Sequence, residues 1–172
     1  LRVPSGGTVF VDGVDQATHR APIAHIPEDR LKRGMVLDFT LMENLLLGRQ
    51  RERSFLGPFG FNEKAIHLYA EEILRRFDVR PPDPRLTART LSGGNQQKAV
   101  IGRELSKEAT VIVASQPTRG LDIGAIEFVH QTLLEQRERG KAILLVSSDL
   151  DELLSLADRI VVMYEGEVVY TT

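Results

Sequence analysis

The chain has 172 residues, with 22 basic and 24 acidic side chains, a formal charge of −2 at pH 7, and no cysteine. That balance excludes a global field that would draw nucleic acid or anionic lipid, and the missing thiols exclude disulfides, thiolate metal sites and cysteine nucleophiles. A chain of this size buries roughly 70% of the surface its unfolded form exposes, enough for one core and a small lobe.

In chain order, Thr8-Val9-Phe10-Val11 followed by Asp12-Gly13 reads as a strand and tight turn, and Ile23-Ala24-His25-Ile26 as a strand stopped by Pro27. Thr40-Leu41-Met42-Glu43 has capping-box spacing, which predicts a helix from about Thr40 through Leu47. Asn62 is placed to cap a second helix, with Phe61 and Ile66 spaced for a hydrophobic staple and Ile66, Tyr69, Ala70, Ile73 and Phe77 on one face. Arg80-Pro81-Pro82-Asp83-Pro84 forbids helix and predicts an extended connector. Ser92 is placed to cap a helix from about Asn95 to Leu105.

Val111-Ile112-Val113 is a β-branched run too short for a helix and predicts a buried strand over 111–114. Strand ends of this kind often carry catalytic acids; this one continues into Ser115 and Gln116, with no carboxylate before Asp122. A helix carrying Ile126, Val129, Leu133 and Leu134 follows and stops near Gly140. Then come a strand over 142–146, a short helix over 150–156, and a strand over 160–163 that turns at Glu165-Gly166 into Val168-Val169. This alternation predicts an α/β fold with a mainly parallel sheet covered on both faces, interrupted by a mainly helical stretch at about 39–95. The four histidines, His19, His25, His67 and His130, lack ligand spacing, so no structural metal is expected. No apolar run approaches the ~20 residues needed to span a bilayer, and a soluble protein is expected.

Leu91-Ser92-Gly93-Gly94-Asn95-Gln96-Gln97-Lys98 lies where a loop becomes a helix. Two glycines permit close approach of backbone to a ligand, while free amides and the dipole at the helix start favour an anion such as phosphate. Ser-Gly-Gly alone would read as a capped helix after a turn. The full eight residues resemble the signature motif of ABC-type ATPases, in the form of the sugar and nucleoside importers, with Asn95 in place of the more widespread glutamine.

The resemblance runs along the whole chain in order. Ile26-Pro27-Glu28-Asp29-Arg30 is similar to the Q-loop, with Glu28 at the glutamine position. Residues 111–118 are similar to the Walker B segment, Gly120-Leu121-Asp122 to the D-loop, and Val146-Ser147-Ser148-Asp149 to the switch loop, with Ser148 where many relatives have histidine. A Walker A pattern is not found: Gly140-Lys141 is followed by Ala142 and lacks the upstream glycine, and Gly6-Gly7 has no lysine after it. The family pattern places that loop just before Leu1, and the start on Leu1-Arg2-Val3 without methionine reads as a piece of something longer.

The resemblance implies a partial P-loop NTPase core with a mainly parallel sheet and an inserted helical subdomain: 1–38 core with the Q-loop, 39–95 helical subdomain ending in the signature, 96–172 the remainder of the core. In the family pattern the strand ends in Asp-Glu, which support Mg²⁺ and polarise the attacking water. Ser115 and Gln116 replace them, and a hydroxyl and an amide do neither job well. The resemblance further implies that Ser92, Gly93, Gly94 and Asn95 serve in trans, closing over ATP with Mg²⁺ held by another half. This chain would then be most of the second ATPase half of an importer chain whose halves lie in tandem. The implied partners are the first half or a second copy, membrane permease subunits and, indirectly, a periplasmic or lipoprotein solute-binding protein, with no nucleic acid. The implied location is cytoplasmic, on the inner face of the membrane, and the isolated chain is expected to be inactive. The competing readings are a non-hydrolytic nucleotide-binding or scaffold half and an ABC ATPase of DNA repair or chromosome organisation. Ser92 as a hydrolase nucleophile is disfavoured because the G-x-S-x-G elbow is missing.

Overall fold

The structure, a computed structural model, describes residues 7–11, 13–16 and 22–172; Gly6, Asp12 and His19 lie outside the described residues. A hairpin of β1 (Phe10–Val11) and β2 (Val14–Asp15) comes first, its partners antiparallel. β3 (Ile23–Ile26) follows, and Pro27 ends it. A wide helical turn at Arg30–Gly34, capped by the Asp29 carboxylate, leads to α1 (Leu41–Leu46). α1 has the predicted capping box: Thr40 Oγ1 accepts from the Glu43 N–H at 3.2 Å, and Glu43 Oε2 accepts from the Thr40 N–H at 2.7 Å.

A two-residue hairpin, β4 (Leu56–Gly57) with β5 (Gly60–Phe61), precedes α2 (Glu63–Arg76), which Asn62 caps as predicted. The predicted staple does not form. Ile66 is buried with Leu46 and Phe55, whereas Phe61, drawn into the hairpin, is 53% exposed. α3 (Gly93–Leu105) begins two residues earlier than predicted, because Ser92 caps it directly and the glycines form its first turn.

β6 (Val111–Ser115), α4 (Ile123–Glu138), β7 (Ala142–Val146) and α5 (Leu150–Leu156) follow, with Gly140 at φ +82° stopping the chain after α4. The chain closes on an antiparallel hairpin, β8 (Val161–Tyr164) and β9 (Glu167–Thr171).

β3, β6 and β7 form a parallel sheet with β6 in the centre; Ile23 pairs with Val111 and Val111 with Ala142. Paired residues share a face. Ala24, Ile26, Ile112 and Ala114 point into a core that runs without a break through α3 (Val100, Ile101), α4 (Val129, Leu133), α2 (Ile73, Leu74) and α1 (Leu41, Leu45). Burying one such side chain contributes about 1.5–3 kcal/mol. The opposite face is not covered among the described residues: Leu144 is 58% and Val146 47% exposed. The expectation of a sheet covered on both faces is corrected accordingly, since α3 and α4 pack on the same side of it.

α2 and α3 approach closely at Gly102, where a Cβ would lie 2.9 Å from Ile73 Cγ2 and 3.0 Å from Phe77 Cδ2. α3 is tied to β3 by charge as well: buried Glu104 accepts from the His25 N–H at 3.2 Å, from Arg103 Nε at 2.9 Å and from Lys107 Nζ at 2.6 Å.

Candidate functional site

The start of α3 is open to solvent at Ser92 and partly at Gly93, while Gly94 is buried. Ser92 is exposed and its Oγ accepts from the Asn95 N–H at 3.4 Å and from Asn95 Nδ2 at 3.1 Å. The N–H groups of Gly93 and Gly94 have no acceptor among the described residues, as expected for the first turn of a helix. The two glycines are crowded differently, Gly94 by fixed neighbours and Gly93 by the end of a flexible side chain. A Cβ on Gly94 would lie 3.0 Å from Ala125 Cβ and 3.3 Å from Asp122 Oδ2, and one on Gly93 would lie 2.6 Å from Arg30 Nη2. Gly94 therefore rests against Asp122 and Ala125, and Gly93 lies beside the Arg30 guanidinium. Asn95 is engaged within the chain: its Oδ1 accepts from the Arg80 N–H at 2.8 Å.

A second group of predicted residues gathers around the loop after β6. Ser115 ends the strand opposite Val146. Gln116 is left-handed at φ +47°, a conformation costing a non-glycine residue about 1–3 kcal/mol. It is held there from both ends: its N–H donates to the Val146 carbonyl at 2.7 Å, and its Oε1 accepts from the Ser148 N–H at 3.3 Å and from the Ser148 hydroxyl at 3.2 Å. Arg119 pairs with Glu28 through its guanidinium, and its carbonyl accepts from Arg30 Nη1 at 3.1 Å. Asp122 caps α4 by accepting from the Ala125 N–H at 2.9 Å. An open cleft of ≈ 750 Å³ lies beside this loop, with Glu28, Arg30, Arg33, Ser115, Arg119 and Gly120 in its wall.

The structure thus brings Glu28, Ser115, Gln116 and Ser148 to one loop cluster, and Ser92, Gly93, Gly94, Asn95 and Asp122 to another. The last three residues of the motif over 91–98, to which the sequence assigned no separate role, are bonded within the chain. Gln97, 3% exposed, donates from Nε2 to the Pro117 carbonyl at 2.7 Å. Gln96 donates to the Ala88 carbonyl at 3.1 Å, and Lys98 pairs with Asp78 at 2.8 Å. A buried amide at 96 and at 97 of an exposed-sounding QQK run was detectable only as polar side chains on the apolar face of a helix.

Chemically, the strand end offers a hydroxyl and an amide already engaged by Ser148, and Glu28, which lines the same cleft as Ser115, is committed to Arg119. These residues do not fit a magnesium ion at this strand end, which calls for free oxygen ligands with negative charge. The free amides at the start of α3 do fit an anion.

No family profile matches the chain. The chain is 45% identical, over 98% of its length, to the guanosine import ATP-binding protein of Bacillus subtilis, of which it covers 34%. It is 43% identical over 85% of its length to the nucleoside import ATP-binding protein of Lactococcus lactis, covering 29% of it. It is 41% identical over its whole length to the glucose import ATP-binding protein of Haloferax volcanii, covering 33%. The chain spans about a third of the length of these curated relatives. Among solved structures, a dimeric ATP-binding cassette in a post-hydrolysis state with ADP and phosphate superposes at a TM-score of 0.77, with 24% identity, over 98% of this chain and 74% of that one. The α/β arrangement is that of the ABC ATPase fold.

Proposed function

We propose that this chain, which has the ABC ATPase fold and the sequence character of nucleoside- and sugar-import ATP-binding proteins, is the larger part of the second ATPase half of such an importer. Its residues 1–38 and 96–172 are core and 39–95 the helical lobe. It supplies the signature in trans: Ser92 with the Gly93 and Gly94 amides closes over the γ-phosphate of ATP held by the first half or by a second copy. The observation that carries this reading is the exposed Ser92 cap and half-buried Gly93 at the start of α3, with buried Gly94 seated against Asp122 and Ala125.

In the assembled protein, ATP with Mg²⁺ supplies the driving hydrolysis at the partner's site. This chain's own residues bind and orient the terminal phosphate and exclude water from it. At its own strand end Ser115 and Gln116 neither bind the cation nor accept a proton, and loss of a general base alone lowers a rate on the order of 10²–10⁴-fold. The two sites of the assembly are therefore unequal. The proposed setting is peripheral on the cytoplasmic face of the membrane, against permease subunits that receive solute from a binding protein.

The test is Ser92→Arg in the full-length parent, which places a long side chain where the γ-phosphate would sit. Solute uptake is expected to be abolished; uptake at the wild-type rate ends the trans reading. The second reading, a non-hydrolytic nucleotide-binding or scaffold half, draws on the Gln116–Ser148 bond, which closes the strand end without any catalytic group.

A further inference from the structure

Four consecutive residues after β6 are each held by a different part of the chain. Gln116 is held by Ser148, the Pro117 carbonyl by Gln97 of α3, the Thr118 hydroxyl by Glu152 of α5, and the Arg119 carbonyl by Arg30. Three of these anchors belong to motifs already described. The anchor at Thr118 does not. Thr118 Oγ1 donates to Glu152 Oε1 at 2.9 Å, and the same oxygen faces His130 Nε2 of α4 at 3.1 Å.

Glu152 is only 3% exposed, and its second oxygen, Oε2, is buried without a partner among the described residues. A buried carboxylate with one oxygen empty is unfavourable, and an apolar side chain of similar volume would join α5 to α4 without that penalty. Packing stability does not account for the arrangement, whereas the location does. Glu152 stands three residues after Asp149, which caps α5 immediately beyond Ser148. Thr118 stands between Pro117, which α3 grips, and Asp122, which Gly94 touches.

We propose that Thr118 and Glu152 are positioning residues for the signature, a rigid tie that makes the switch loop and the loop 116–122 move as one body and carries displacement at Ser148 to the start of α3. His130 orients the carboxylate that makes the tie. This rests on the trans-signature reading above.

The experiment uses the full-length parent and reads ATP hydrolysis. Thr118→Val keeps the shape and deletes the hydroxyl; Thr118→Ser keeps the hydroxyl. The valine variant is expected to lose about tenfold in kcat, because small misplacements of a positioned group are costly. Its KM for ATP is expected to stay at the wild-type value, since the partner's nucleotide cradle is unchanged, while its unfolding midpoint falls because buried Glu152 loses a donor; kcat is therefore read well below that midpoint. The serine variant is expected to retain wild-type kcat, and Glu152→Gln in the valine background to add nothing further, the mark of two residues acting through one bond. Wild-type kcat in Thr118→Val, equal loss in the valine and serine variants, or additive losses with Glu152→Gln would each overturn the tie. Ser92→Arg is assayed alongside: if it still hydrolyses ATP, the trans reading falls and the tie with it. If it is dead while Thr118→Val is normal, only the tie falls.

Discussion

Gln116 Oε1 accepts two hydrogen bonds from one residue, the backbone N–H of Ser148 at 3.3 Å and its hydroxyl at 3.2 Å. Both partners are donors, so a carboxylate in place of the amide would be received at least as well. Gln116→Glu is therefore expected to leave the unfolding free energy within about 0.5 kcal/mol of the parent, measured by chemical denaturation. On its own it is not expected to restore turnover. With the first site of the full-length protein silenced, hydrolysis at the second is expected only when Ser115→Asp and Gln116→Glu are combined, if necessary with Ser148→His. A triple variant that remains silent would show that the loss of chemistry lies elsewhere.

The two signature glycines are expected to differ. At Gly94 a Cβ meets Ala125 and Asp122 within α4 and its cap, neither of which can swing aside. Gly94→Ala is expected to destabilise by about 1–3 kcal/mol, the usual result of overpacking, and to lower uptake with it. At Gly93 the obstacle is the guanidinium end of Arg30, which can rotate away. Gly93→Ala is expected to remain within about 1 kcal/mol, because helix propensity offsets the contact. Equal destabilisation of the two variants in denaturant would contradict the seating of Gly94.

Acid stability should be traceable to one network. Burial pushes the Glu104 carboxyl up, but the Lys107 ammonium, Arg103 and the His25 N–H outweigh it and hold it below its ordinary 4.5. A depressed acid contributes stability that is complete above its unfolded value and is lost as pH falls through its native one. Lys107→Met is expected to raise the Glu104 pKa and move the acid-unfolding midpoint to higher pH by up to about one unit. Burial also pushes the His25 imidazole below its ordinary 6.5, against the pull of Glu104. Its contribution is complete above that value and is lost as pH falls through the lowered one. His25→Gln should flatten the onset of the loss below pH 6.5 while leaving the deeper limb in place.

Asn44 should prove as sensitive as any core leucine. It is 2% exposed; its Oδ1 accepts from the Val36 N–H at 2.8 Å, and its Nδ2 reaches the carbonyls of Val36, Phe39 and Thr40. These bonds fasten the segment after Arg30–Gly34 to α1. Asn44→Leu, similar in size and unable to bond, leaves the Val36 N–H without its acceptor, while the Val36, Phe39 and Thr40 carbonyls keep their backbone donors, and is expected to cost about 1–3 kcal/mol. Denaturant unfolding of this variant alongside Leu45→Ala would place the two on one scale.

Much of the fold was legible because its signals are local. The Thr40/Glu43 box, the Asn62 cap, the strand over 142–146 and the stop at Gly140 each depend on a few adjacent residues, and each stands where the spacing put it. The misses depend on distant partners. The crowding of Gly94 comes from Asp122 and Ala125 and that of Gly93 from Arg30, none of them near in sequence. Phe61 left its staple for a hairpin with Leu56, and nothing in a five-residue window announces that competition. At the site, the motif residues could be found by pattern, but the buried bonds of Gln97 and Glu152 could not, because their carbonyl and hydroxyl partners lie on other elements.

The pairing of Ile23 with Val111 joins the earliest of the sheet's described strands to one translated much later. At synthesis rates of about 5–20 residues per second, β3 emerges from the ribosome several seconds before β6 can meet it. α1 and α2 can form in that interval, but the sheet cannot. The nascent chain therefore carries an unsatisfied strand edge for longer than most of its local structure takes to form, and chaperone demand during translation should centre on residues 23–26.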